Sequence, residues 1–176
     1  MSFEGMVASL QAPALIAIAT HWNAARGSGL MPAWGGIDPS AIRGHLPIVW
    51  AWRFDSLRST FVGRLAGQTI IEAIGSQIRG RTIEECFPEP VVPVLRERLT
   101  RVLAGPGFMR NYGRVYATSG RNGFGERVYL PLAEDGEHAD GIFGATSYTF
   151  TGGTGAVPRE RLERDVSEEE VEFFDL

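Results

Sequence analysis

The chain has 176 residues, 44% of them hydrophobic and 22% charged, with a formal net charge of −4. That is enough for one domain with a buried core, and the mildly acidic balance speaks against a nonspecific nucleic-acid surface, which needs a clustered basic face. A lone cysteine, Cys86, leaves no partner for an internal disulfide or a multi-cysteine zinc site, and the early apolar run Ala12 to Ala19 is too short to span a bilayer and has no basic stretch before it, so a cytoplasmic protein without a signal peptide or membrane contact is expected.

Residues 1 to 11 carry no strong pattern and read as a frayed end. A helix is expected next, with Pro13 in its first turn, Leu15, Ile18, Trp22 and Ala25 on one apolar stripe, and Gly27 and Gly29 at its end. A Gly- and Pro-rich loop leads to a helical turn near Asp38-Pro39. The first strand, Pro47 to Phe54, places Ile48, Trp50, Trp52 and Phe54 on one face and Val49 and Ala51 on the other. Both faces are apolar, so both should be covered, and the helix bearing Trp22 is the candidate cover for one of them. A turn at Asp55 to Arg58 returns the chain as a second strand, Ser59 to Ala66.

Residues 61 to 87, FVGRLAGQTIIEAIGSQIRGRTIEECF, then read as strand, glycine turn, short helix, glycine turn and a second short helix. Thr69 with Glu72 and Thr82 with Glu85 have capping-box spacing, and Gly75 can end the first of these helices. A longer helix is predicted over Pro90 to Ala104, stopped by Gly105-Pro106-Gly107. Three strands follow, Phe108 to Thr118, Glu126 to Ala133 and Gly141 to Phe150, with SGRNGFG at 119 to 125 as a hairpin loop. TGGTG at 151 to 155 reads as a hinge, and the charged tail carries a third capping-box spacing, Ser167 with Glu170, ahead of Val171 and Phe174. Strands grouped at both ends of a helical middle predict an α+β fold with an antiparallel sheet.

The stretches HWNAARGSGLMPAWGGIDPSAIRGHLPIVWAW, RLAGQTIIEAIGSQIRGRTIEE, VYLPLAEDG and ADGIFGATSY, in this order from about His21 to Phe150, resemble a family of short stand-alone bacterial PAS-domain proteins of undefined role. Gln68 departs from that family's usual Thr in the Gly-Thr step. The resemblance implies a PAS-like five-stranded antiparallel sheet with short helices on one face, a cavity between them, and frequent dimerisation through the N-terminal helix. It implies no catalytic residues. It divides the chain into an N-terminal helical extension (1–43), a PAS-like domain (44–150) and a linker with an acidic tail (151–176).

The residues themselves offer little catalytic chemistry. His21, His45 and His138 stand in separate elements without metal-ligand spacing, and no metal site is expected. The long middle helix contains no histidine where PAS domains that bind haem commonly supply one, which argues against haem. Cys86 sits in Glu-Cys-Phe-Pro, unlike the Asn-Cys-Arg-Phe context of flavin-linking PAS domains, and Glu84 and Glu85 should raise its thiol pKa. The cofactor, if any, stays unknown. GRNGFG at 120 to 125 lacks a following helix and is no phosphate cradle. Arg64, Arg110, Tyr112, Arg114 and Tyr116 form the one candidate ligand-binding group, able to hold an anionic or aromatic molecule on a strand face; the plainer reading, Arg stems covering rings on an outward face, stands beside it.

Three functions remain in competition. The first, and the leading one, is a sensory or interaction module binding a small molecule or a signalling protein as a homodimer without activity of its own. The second is a small cavity enzyme of ketosteroid-isomerase type with Glu126 as its buried carboxylate. The third is a structural dimerisation domain with a filled core.

Overall fold

The computed structural model describes residues 3–116, 121–154 and 170–176; within the strands, the side chains of 114–116, 121–123 and 149–154 lie outside that description. Its centre is a six-stranded antiparallel sheet in the order β2-β1-β5-β4-β3-β6, built from β1 (Val49–Asp55), β2 (Thr60–Ala66), β3 (Gly107–Tyr116), β4 (Arg121–Leu132), β5 (Gly141–Thr154) and β6 (Glu170–Asp175). Helices α1 (Phe3–Ser9) and α2 (Pro13–Arg26) cover one face. Helices α3 (Gln68–Ile74), α4 (Ile83–Cys86) and α5 (Val92–Ala104) cover the other.

The period-2 alternation of the strands divides the apolar residues between two cores. Val49 and Ala51 of β1, Val128, Leu130 and Leu132 of β4, and Phe143 and Ala145 of β5 join Leu15, Ile18 and Trp22 of α2 in the outer core. Trp50 and Trp52, Tyr129 and Ile142 face the other way, toward Ile70, Ile83 and Leu99 in the inner core. Trp22 is the anchor of the outer layer. Its ring meets Phe108 edge-on at a centroid distance of 5.0 Å, and its Nε1–H donates to the Pro131 carbonyl at 2.9 Å. Full burial of such a side chain contributes on the order of 1.5–3 kcal/mol.

Five expectations are corrected. The supposedly frayed start forms α1, because Met6 is fully buried and Phe3 packs against both Trp22 and Phe108. Helix α3 starts at Gln68 with Gly67 as its N-cap and no side-chain cap, so the Thr69–Glu72 box is absent; Gln68 donates to Glu72 at 2.9 Å instead. A side chain at Gly67 would overlap the Leu46 and Pro47 backbone, which is why the bare residue sits there. The predicted 119–125 loop is largely strand: β4 begins at Arg121, and Gly123 and Gly125 pair with neighbours on both sides, so ladder bonds override their low strand propensity.

The fourth correction concerns the tail. Val171 to Phe174 belong to a strand and not to a helix, giving a sixth strand where five were expected. Half-buried Val171 and Phe173 pack on the inner core while buried Phe174 reaches the outer one, so a period of 2 uses all three. Ser167 lies outside the described residues. The hinge expected from residue 151 is likewise strand as far as Thr154. The Thr82–Glu85 capping box, the Gly75 stop (φ 80°) and the Asp55 turn, where Leu57 and Arg58 N–H donate to the carboxylate, are present.

Candidate functional site

Between the inner sheet face and α3–α5 lies a cavity with about 90 Å³ of room for the centres of water-sized atoms. One ordered water needs roughly 10–15 Å³ on that measure, so the space exceeds what a trapped water or two would fill. The sheet supplies Trp50 and Trp52 from β1, Arg127 and Tyr129 from β4, and Thr146 and Tyr148 from β5. The helical side supplies Ile70 and Ile74 from α3, Ile78 and Phe87 from the connecting turns, and Val91, Val94, Leu95 and Arg98 at and along α5.

Local packing fixes these walls. Gly144 pairs with Trp50 across β5 and β1, and a Cβ there would overlap the indole ring; its absence lets Trp50 lie over the neighbouring backbone. Trp50 then meets Tyr129 edge-on at 4.9 Å, and Trp52 meets Phe87 at 6.0 Å. The helical wall is tied to edge strand β2, where Gly63 donates to the Arg81 carbonyl and Gly80 donates back to Gly63. Helix α5 is held at one end by Arg96, which pairs with Glu84 and donates to the Ser59 carbonyl at 2.9 Å. Farther along, the Arg101 guanidinium stands 3.5 Å from the Phe173 ring centroid.

A polar relay crosses this apolar floor. Trp50 Nε1–H donates to Thr146 Oγ1 at 3.0 Å, and Thr146 is also hydrogen-bonded to Tyr148. Burial pushes the Tyr148 phenol above its ordinary pKa, with the Arg127 charge and the Thr146 hydrogen bond only partly opposing it. The phenol is therefore neutral, and able to donate, at physiological pH. Among the described residues, no Asp or Glu lines the cavity.

Of the five Arg and Tyr residues singled out in the sequence, the side chains of three are described. Arg64 is exposed, its guanidinium 6.0 Å from the Trp34 ring centroid. Tyr112 stacks on Phe124 at 6.3 Å. Arg110 is buried on the outer sheet face. Arg114 and Tyr116 occupy β3 positions paired with Phe124 and Asn122, but their side chains lie outside the described residues. None of Arg64, Arg110 and Tyr112 lines the cavity. The lining residues that sequence reasoning passed over, Arg98, Arg127, Thr146 and Tyr148, carry one usable signal. Arg127 in β4 and Thr146 and Tyr148 in β5 have the parity opposite to Val128, Leu130 and Ala145, which places these three on the face shared with Trp50 and Trp52, whereas Arg98 comes from α5.

Arg110 and Glu126 form an ion pair at 2.8 Å, each side chain only 4% exposed. Glu126 also accepts the Ala12 N–H at 2.7 Å and the Gln11 N–H at 3.0 Å, while Arg110 donates to Glu172 at 3.0 Å. Ala12 has no side chain able to cap α2, and a carboxylate from β4 does so across the sheet. Burial works against the Arg110 charge, but the hydrogen bonds it donates to Glu126 and Glu172 outweigh that and raise its pKa. Glu126 thus stands on the opposite sheet face from the cavity, joined to the N-terminal layer.

The remaining candidates are quieter. Cys86 is buried, and burial raises its thiol pKa first, with Glu85 contributing a smaller push and Arg81 opposing it. His21 Nε2 accepts the Asp38 N–H, and His138 pairs with Asp135 at 2.8 Å in an exposed turn. Among the described residues, no group of three His, Cys, Asp or Glu side chains could hold a metal ion, and no helix is long and apolar enough to cross a membrane.

Comparison with known proteins agrees with this architecture. Among solved structures, VqmA bound to DPO superposes with a TM-score of 0.50 at 19% identity, over 62% of this chain and 56% of that one, a likeness of fold. The chain thus spans little more than half the length of VqmA. None of the curated proteins matches it. A family model described as PAS domain matches residues 10–147, from just before α2 into β5. The chain belongs to the PAS domain family.

Proposed function

We propose that this chain is a sensory module that binds a small organic ligand in the cavity between β1, β4, β5 and α3–α5, and passes its occupancy to another protein. One observation carries the reading: a cavity floored by Trp50, Trp52 and Tyr129 and crossed by the Trp50–Thr146–Tyr148 relay, a few placed polar groups in an otherwise apolar site. The likeness to VqmA, a protein of the same fold solved bound to DPO, supports it. The module has no activity of its own in this reading. Among the described residues, the cavity lining holds no buried carboxylate base of the kind the isomerase alternative needs, and Glu126 is committed to Arg110 and the start of α2. A filled structural core fits poorly with the open space beside Trp50.

Output runs through a homodimer formed by the N-terminal helices, in the cytoplasm, with no nucleic acid or membrane involved. The exposed side of α2 bears Thr20 and Ala24, small enough for a second helix to approach closely. The test is a thermal-shift screen of small organic compounds against the wild type and Val94→Trp, which fills the cavity. The reading predicts compounds that raise the wild-type melting temperature and leave the variant unmoved. Equal shifts in both proteins would place binding elsewhere and contradict it.

A further inference from the structure

The sixth strand lies beyond the stretch matched by the family model, which ends at residue 147. It lays the end of the chain along the edge of β3, from Tyr112 paired with Glu170 to Gly107 paired with Asp175. Without it that edge would be a row of open backbone donors and acceptors, the usual template for an added strand. The surrounding side chains match the strand that lies there. Arg110 Nη1 donates to Glu172 at 3.0 Å and stands 3.7 Å from Glu170. The Arg101 guanidinium of α5 covers the Phe173 ring, and Phe174 enters the outer core. A Cβ at Gly107 would overlap the Phe174 carbonyl, so the bare residue lets the strand lie this close.

The attachment is nonetheless light. Of the six residues of β6 only Phe174 is buried, with Val171, Glu172 and Phe173 half-buried and Glu170 and Asp175 exposed. Among the described residues no strand covers its far edge. Arg110 keeps its buried partner Glu126 when β6 leaves.

We propose that the β3 edge is a strand-docking site, filled at rest by β6, and that a partner protein displaces β6 with an extended segment of the same chemistry: acid, apolar, acid, then two aromatics. Main-chain bonds to β3 supply affinity that is blind to sequence, and side-chain pockets on alternate positions supply selection. Acids at the positions of Glu170 and Glu172 answer Arg110, whereas a basic segment would set its cations against that guanidinium. Being on the same chain gives β6 an effective concentration on the order of mM, so it excludes weak strands and yields to a tighter one. The position suits an output: β6 touches α5 through Phe173 and reaches the start of α2 through Arg110 and Glu126. The docking site stands whatever fills the cavity.

The test is fluorescence anisotropy of a labelled heptapeptide, EVEFFDL (residues 170–176), titrated with full-length wild type and with Phe174→Asp, whose own tail no longer docks. The variant should bind the peptide at least tenfold more tightly than wild type, where β6 competes. Peptides carrying Glu170→Lys with Glu172→Lys, or Phe173→Ser with Phe174→Ser, should each bind the variant at least tenfold more weakly. A folded variant that does not take up EVEFFDL, or equal affinity in the two proteins, would overturn the docking site. Equal binding of the lysine peptide would overturn the acidic partner chemistry. Amide hydrogen exchange on the wild type decides the point should the variant fail to fold. The β6 amides bonded to β3 should exchange at least tenfold faster than those joining β4 to β5, and equal protection would overturn the displacement of β6.

Discussion

Replacing Glu126 by Gln isolates the ion pair that joins the N-terminal layer to the sheet. The carboxylate receives three donors, Arg110 Nε–H at 2.8 Å and the backbone N–H groups of Ala12 and Gln11 at 2.7 and 3.0 Å. An amide of the same shape offers one acceptor oxygen, and its NH₂ must then face a donor. Arg110, 4% exposed, keeps only the partners on β6, Glu172 at 3.0 Å and Glu170 at 3.7 Å. Removing one member of such a buried pair costs about 3–5 kcal/mol. For a chain of this length 1 kcal/mol moves the melting temperature by about 2–4 °C, so Glu126→Gln should melt about 6–20 °C lower. Arg110→Leu combined with Glu126→Leu should recover part of that loss, because no buried guanidinium is then left without its buried carboxylate. Thermal unfolding followed by far-ultraviolet circular dichroism reads the effect, and hydrogen exchange should show α1 and α2 opening first. A shift within about 2 °C of wild type would refute the reasoning, since Glu126 would then not be holding α2.

Gly144→Ala should drive Trp50 off its position, costing about 1–3 kcal/mol by overpacking and altering the near-ultraviolet dichroism of the cavity floor; an unchanged aromatic spectrum would contradict the packing described. Because burial raises the Cys86 thiol pKa, little thiolate exists at neutral pH, and native protein should react with Ellman's reagent at least tenfold more slowly than urea-unfolded protein. The hydrogen bond and charge of Asp135 raise the His138 imidazole pKa, so Asp135→Asn should lower its titration midpoint in proton NMR. Since the folded value is the higher one, the His138 contribution to stability is complete below the ordinary imidazole pKa of about 6.5 and fades as pH rises through the folded midpoint.

The inner framework was legible because periodicity and punctuation agreed. Trp50 and Trp52 against Val49 and Ala51 announced a strand covered on both faces, Trp22 announced the cover, and Thr82 with Glu85 marked the start of α4. Local signals misled where distant contacts decide the conformation. The Val171–Phe174 segment shows helical capping spacing, yet the open edge of β3 and two adjacent cores make it a strand. Glycines 123 and 125 suggest a loop until neighbours on both sides bond them into the sheet. The site was harder still. Arg110 and Tyr112 share a strand face with each other, but whether that face meets the cavity depends on which helical layer lies over it, and no spacing within β3 carries that information.

The central claim is that the cavity beside Trp50 holds a small molecule, and native mass spectrometry of freshly purified protein tests it most directly. Wild-type protein should carry an extra mass that disappears on denaturation and is missing from Val94→Trp purified in the same way. Identical masses for the two proteins, apart from the substituted side chain, would contradict the claim.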